Sequence, residues 1–286
     1  MKQYALVNLG LEQIAQTEVK EKLKVDAAIY PNVVEFSFKE IPYLQSARRL
    51  LISIGKYKNL ENLKFPQNFP WQNFFENETK FKIEVEGIKG QENRLKIAKK
   101  VAEGIFALLK EKKIQPKIEF KKPEFLIVVF FNGEDYFIGI DKNIEEMNSR
   151  KYRVFSHSAS FKGDLAYYFV RKSKFGPNEK LLVGFCKDGA IAIEAYKYTQ
   201  NKIYAFDESM PNFTAARKNS KIAQAEVEVK KYNLDDLDVK YEQNFFDRIV
   251  LHITTKDEDK INEIYYQTNY VLKSKGTLLI IGRENW

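Results

Sequence analysis

The segment KLLVGFCKDGAIAIEA joins an apolar run ending at Gly184 to a helical run starting near Ala190 through residues 185–189. A strand-to-helix turn of this kind aims backbone N–H groups at a bound nucleotide-like cofactor, and Gly189 permits close approach. Asp207 closes the next apolar run, KIYAFD. A carboxylate there accepts hydrogen bonds from a ribose diol or, alternatively, caps the helix that follows. His252 ends another apolar run, DRIVLHI. Its imidazole titrates near neutrality and is a candidate general base or a structural hydrogen-bonder. One cysteine, Cys186, and two histidines exclude an internal disulfide and argue against a protein-made metal centre.

These residues need a frame that holds strand ends in a row. From about residue 180 the chain alternates strand and helix: LLVGFC, IAIEAYKY, KIYAF, SMPNFTAARKNSKIA, VEVKKY, DRIVLHI, INEIYYQTNYVL and TLLII. Near-continuous apolar strands between helices predict a parallel sheet covered on both faces, the doubly wound α/β architecture. Upstream, the periodicity predicts a strand at 4–8, a helix at 11–23, a strand at 33–38 and a helix at 41–54, a small α+β unit ending near 66–70. After the connector FPQNFPWQNF, a strand at 81–85, a helix at 94–110 and a hairpin of 125–131 with 136–140 around Asn132-Gly133 form a second unit.

The chain has 286 residues, 47 Lys and Arg against 39 Asp and Glu, and a net charge of +8. Its 44% hydrophobic and 30% charged content is that of a folded, not a disordered, chain. No apolar run is long enough to cross a bilayer and the first residues carry no secretion pattern, so a cytoplasmic protein without membrane contact is expected. The basic excess favours a polyanionic partner. Lys89, Arg94, Lys99, Lys121 and Lys122 lie in its second unit. They read either as phosphate contacts or as a solvated face diluted by acidic neighbours.

Phe185, Cys186, Gly189 and Ile193-Glu194-Ala195 match a turn and helix that resemble those of class I S-adenosylmethionine-dependent RNA methyltransferases carrying a THUMP domain, a group acting on guanine N2 of tRNA and ribosomal RNA. Tyr152, Arg153, His157, Ala159, Phe161 and Leu165-Ala166 are similar to the segment beside that family's cofactor site. Residues 71–141 resemble a THUMP domain, and Gly10-Leu11-Glu12 with Glu18 looks like the small domain preceding it. The resemblance implies a ferredoxin-like domain over 1–68, a THUMP domain over 69–145, a linker over 146–176 and a Rossmann-like methyltransferase domain over 177–286. It also implies RNA, chiefly tRNA, as partner through its acceptor stem or 3′ end. Lys89, Arg94, Lys99, Lys121 and Lys122 would contact phosphates, and Arg150, Lys151 and Arg153 would continue the track. Phe185, Cys186, Gly189, Asp207 and Asn233 would hold S-adenosylmethionine.

The sequence departs from that pattern where the chemistry sits. Val183-Gly184 stands for the family's Asp-Pro, Lys187 for the first glycine of the turn, and Asn233 for the adenine-contacting Asp. His252, Ile253, Thr254 and Thr255 stand for the Asn-Pro-Pro-Tyr that polarises the target amine and stacks on the base. Few residues follow TLLII, so the domain is expected to be truncated at its C-terminal end. That would leave the 277–281 strand as an edge open to a second copy or a partner subunit. Three readings follow: an RNA-binding protein on an inactive methyltransferase scaffold that needs no cofactor, an active methyltransferase with an altered target or a completing subunit, and a protein-docking scaffold.

Overall fold

In the computed structural model, which describes residues 1–253 and 258–282, the chain divides into two compact units, Met1–Met147 and Asn148–Trp286. The first contains β1 (Lys2–Leu6), α1 (Glu12–Leu23), β2 (Ala27–Tyr30), β3 (Val33–Ser37), β4 (Arg49–Tyr57), β5 (Lys80–Glu86), α2 (Gln91–Glu111), β6 (Lys117–Ile118), β7 (Phe125–Phe131) and β8 (Tyr136–Asp141). All eight strands form one sheet in the order β2-β3-β1-β4-β8-β7-β5-β6. The antiparallel pairing of β4 with β8 carries that sheet continuously from the first strands into the later ones. Side chains of β7 alternate between two cores: Ile127 and Val129 meet Ile105 and Leu109 of α2, while Leu126 and Val128 pack with Tyr4, Leu6 and Phe137. The 125–131 and 136–140 hairpin forms as expected, with Asn132 Oδ1 accepting the Glu134 and Asp135 N–H groups at 2.9 and 2.8 Å.

Residues 41–54 do not form the expected helix, and Arg49–Tyr57 is the strand β4. Two forces decide this. Glu18, fully buried on α1, accepts the backbone N–H groups of Gln45 and Ser46 at 2.7 and 2.9 Å, which holds the approach as a loop. Beyond it, Leu51 enters one core while Ile52 and Ile54 enter the other, a period-two demand that a strand meets and a helix cannot.

The second unit contains α3 (Gly163–Lys172), β9 (Leu181–Gly184), α4 (Ala190–Thr199), β10 (Ile203–Asp207), α5 (Met210–Ile222), β11 (Val227–Lys231), α6 (Leu237–Lys240), β12 (Phe246–His252), α7 (Glu258–Val271) and β13 (Leu272–Ile281). Its five strands are parallel in the order β11-β10-β9-β12-β13. Leu181 and Val183 of β9 meet Ala166 of α3, Ala195 of α4 and Ala216 of α5, whereas Leu182 meets Leu237 of α6 and Ile264 of α7. Both faces are therefore covered, and the C-terminal ends of β9, β10 and β12 are left free to build a site. Strand order reverses between β9 and β12, which opens a crevice at those ends. No described helix is long and apolar enough to cross a membrane.

Candidate functional site

The turn between β9 and α4 is built from left-handed backbone. Phe185, Lys187 and Gly189 have φ of 53°, 55° and 83°, so two of the three positions carry a side chain in a conformation that glycine adopts freely. A hydrogen bond from Cys186 N–H to the Phe206 carbonyl, 3.0 Å, ties the turn to β10. Gly189 starts α4 against α5, where a Cβ would lie 3.1 Å from that of Ala216. The result is a cleft of about 200 Å³ lined by Phe185, Lys187, Asp207, Asn212, His252 and Lys260, among others.

Asp207 is 3% exposed and anchors this cleft. Its Oδ2 accepts the Lys187 N–H at 2.9 Å, and its Oδ1 accepts the Ser209 N–H at 3.0 Å and the Asn212 side-chain amide at 3.1 Å. A carboxylate has about four acceptor positions. Three are filled, and one remains for a hydroxyl. The same contacts hold the start of α5, so Asp207 fills the helix-start role and keeps an acceptor position in the cleft lining as well. Lys260 reaches from α7 to Glu208 at 2.9 Å and lies 5.4 Å over the Phe185 ring. His252 is half-buried at the end of β12, its ring 4.7 Å from that of Phe161.

Phe185, Asp207 and His252 thus meet in one cleft. Cys186 instead packs in the core, where burial and the nearby Asp207 push its thiol well up, and Gly189 acts through close packing. Asn233 is exposed and exchanges capping hydrogen bonds with Asp236 at the start of a short helical turn. Thr254 and Thr255 lie outside the described residues.

Arg150 and Arg153 are not available to a phosphate backbone. The Arg150 side chain is 2% exposed and donates from Nε and Nη2 to the two carboxylate oxygens of Glu194 at 2.9 and 3.1 Å. Gly163 makes room for it, since a Cβ there would lie 2.1 Å from Nε. Arg153 donates from Nε and Nη2 to Oδ2 of Asp188. Burial of Asp188 and Glu194 decides both cases, because an unpaired carboxylate inside the protein is far costlier than a desolvated arginine beside it. Lys151, between them, is exposed. Asp188 also accepts from the Ser160 hydroxyl, and Asn219 bonds both the Asp188 carbonyl and the Phe155 backbone. Asp188 and Asn219 were not singled out from sequence. The only signal for them is the pair of polar residues flanking the apolar runs of the turn and of α5.

Within the first unit, Lys89, Arg94, Lys99, Lys121 and Lys122 are all exposed. They do not form one cluster. Lys89 and Arg94 flank the C-terminal end of β5, while Lys121 and Lys122 follow β6, which pairs with the opposite end of β5 at Lys80 and Phe81. Seven residues of strand separate the two ends by about 20 Å. Lys99 lies on α2, 4.0 Å from Glu103. Beside Lys121 stands an aromatic ring not singled out from sequence, Phe120, which is 73% exposed. Its loop is held by the Glu119 N–H on the Phe81 carbonyl at 2.9 Å and the Lys121 N–H on the Glu119 carboxylate at 2.7 Å.

A cofactor of the S-adenosylmethionine type fits only part of this cleft. The spare acceptor of Asp207 suits a ribose hydroxyl, and Phe185 offers an apolar wall. The amino-acid end fits poorly: β9 ends in Val183-Gly184 without a carboxylate to take an ammonium, and the half-buried Lys187 adds a cation.

Strand order, two-sided cover and a carboxylate at the end of the second strand define the second unit as a doubly wound α/β fold of the kind that binds nucleotide-like cofactors. The THUMP domain model matches residues 61–141, and the model described as RMKL-like, methyltransferase domain matches residues 150–275. The chain therefore joins a THUMP domain to an RMKL-like methyltransferase domain. Solved structures share this architecture. TrmN from Thermus thermophilus is 18% identical, with a TM-score of 0.75 over 98% of this chain and 88% of that one. A possible methylase from Clostridium difficile 630 is 17% identical, with a TM-score of 0.74 over 98% and 89%. SMU.472, a candidate methyltransferase solved in complex with SAH, is 18% identical, with a TM-score of 0.70 over 93% and 85%. At these identities the likeness is one of fold.

Proposed function

We propose that this chain binds RNA, with tRNA as its substrate class, and that its methyltransferase scaffold no longer performs ordinary S-adenosylmethionine-dependent transfer to a guanine amine. The observation that carries the reading is the composition of the cleft: Lys187 stands beside Asp207, and no carboxylate ends β9. A charge-assisted hydrogen bond lost there is worth about 1.5–3 kcal/mol. The THUMP domain and the exposed Lys89, Arg94, Lys99, Lys121 and Lys122 support the RNA half, with Lys151 as a further cation. The Phe120 ring offers a platform on which an unpaired base stacks.

Two titrations test this. S-adenosylmethionine should bind with a dissociation constant of about 1 mM or weaker, roughly 4 kcal/mol of binding. Replacing Lys99, Lys121 and Lys122 together by Ala should weaken tRNA binding and flatten its salt dependence by roughly one unit of slope per lost phosphate contact. An unchanged slope would make these lysines a solvated face. The presence of His252 and Asp207 in one cleft favours a second reading, an active methyltransferase with an altered target. A micromolar constant for S-adenosylmethionine would select it.

A further inference from the structure

The charges in the cleft are unevenly committed. Glu208 is held by Lys260 at 2.9 Å and by the Leu234 N–H at 3.1 Å, so this acid and this base satisfy one another. Asp207 has three of its acceptor positions filled. Lys187 is different: among the described residues no carboxylate pairs with its ammonium, although the residue is half-buried in the wall of the cleft. Its backbone is fixed by its own N–H on Asp207 Oδ2, at 2.9 Å. A cation and a spare hydroxyl acceptor therefore stand side by side on one rigid turn, beside the ring of Phe185.

An unpaired ammonium in a cleft attracts an anion more strongly than one in open water, because the low-dielectric wall screens it less. The neighbouring acceptor takes a hydroxyl. A ligand with a phosphate next to a ribose satisfies both groups with a full negative charge on the ammonium, whereas S-adenosylmethionine offers Lys187 a single carboxylate whose charge its own ammonium and sulfonium offset. We propose that this cleft is a nucleotide site, selective for a nucleoside phosphate, in which Asp207 accepts a ribose hydroxyl and Lys187 binds the phosphate. The assignment rests on the cleft alone and does not depend on RNA binding.

Calorimetry on the full chain with adenosine, AMP and S-adenosylmethionine tests it. AMP should bind about tenfold or more tightly than adenosine, the increment of one charge-assisted contact, and more tightly than S-adenosylmethionine. Lys187→Ala should abolish the difference between AMP and adenosine. Asp207→Asn should weaken adenosine and leave the preference for AMP in place or larger, since it removes a negative charge beside the phosphate, with circular dichroism checking that each variant folds. Equal affinity for AMP and adenosine, no detectable nucleotide binding, a ratio unchanged in Lys187→Ala, or tighter binding of S-adenosylmethionine would each overturn the assignment. Binding of tRNA by the same samples separates the two proposals: nucleotide binding lost with tRNA binding kept refutes this one alone, and the reverse refutes only the RNA reading.

Discussion

Two guanidinium nitrogens of Arg153, Nε and Nη2, donate to a single oxygen of Asp188 at 3.1 and 2.9 Å across 35 residues of sequence. Asp188 lies inside the turn that shapes the cleft, and its other oxygen accepts the Ala190 N–H and the Ser160 hydroxyl. Together with the Arg150–Glu194 pair, this contact stitches the segment before α3 onto the turn and onto α4. The arginines expected to face RNA are thus the fastening of the cleft wall.

Arg153→Ala should cost about 2–4 kcal/mol, because it leaves a buried carboxylate without its charged partner. Arg153→Lys should recover part of the loss, and exposed Lys151→Ala should change stability by less than about 0.5 kcal/mol. Urea denaturation measures all three. Equal effects at Arg153 and Lys151 would refute the fastening role.

Lys187→Gly should leave the turn in place and stabilise the protein by up to about 1 kcal/mol, since a side chain is removed from a left-handed position at φ 55°. Lys187→Ala keeps the strain and should show no such gain. Thermal melts of the two variants side by side decide it, and a glycine variant less stable than the alanine one would contradict the argument.

Asp141 carries the clearest pH dependence. It is 1% exposed, and burial pushes its carboxyl up to about 6, against the opposing pull of the Asn143 N–H and of Arg49 at 3.1 Å. A folded value above the unfolded one, near 4, means that the folded state holds this proton more tightly. Its stabilising contribution is therefore complete below about pH 4 and is lost as pH rises through about 6. Stability measured between those values should fall less steeply in Asp141→Asn than in the parent chain. Identical slopes would remove Asp141 as the cause.

Among the described residues β13 pairs with β12 alone, and its apolar residues Leu278, Leu279 and Ile280 are half-buried. An edge of this kind recruits another strand. Light scattering at micromolar concentration should report self-association, and amide exchange over 277–281 should slow as concentration rises. A strict monomer with concentration-independent exchange would exclude pairing at this edge.

Much of this was legible in the chain itself. Apolar runs of four to seven residues separated by helical periods specify a parallel sheet, and the resulting strands at Leu181–Gly184, Ile203–Asp207 and Phe246–His252 place Phe185, Asp207 and His252 at strand ends by connectivity alone. Backbone demands are local, so residue type and spacing report them: Asn132-Gly133 turns a hairpin, and Gly189 starts α4.

Partner choice is not local. Arg150, Lys151 and Arg153 read from sequence as a basic patch, and only the fold shows that Glu194 and Asp188 stand opposite and must be neutralised in the interior. The same holds for β4, whose strand conformation is imposed by Glu18 from another element and by two cores on opposite sides of the sheet. Periodicity determined most of the elements, β4 excepted, and the order of strand ends in the second unit. Tertiary structure decided which charges are spent holding the fold, as those of Arg150 and Arg153 are, and which, like that of Lys187, meet no carboxylate among the described residues, because the cost of burying an ion depends on what faces it across space.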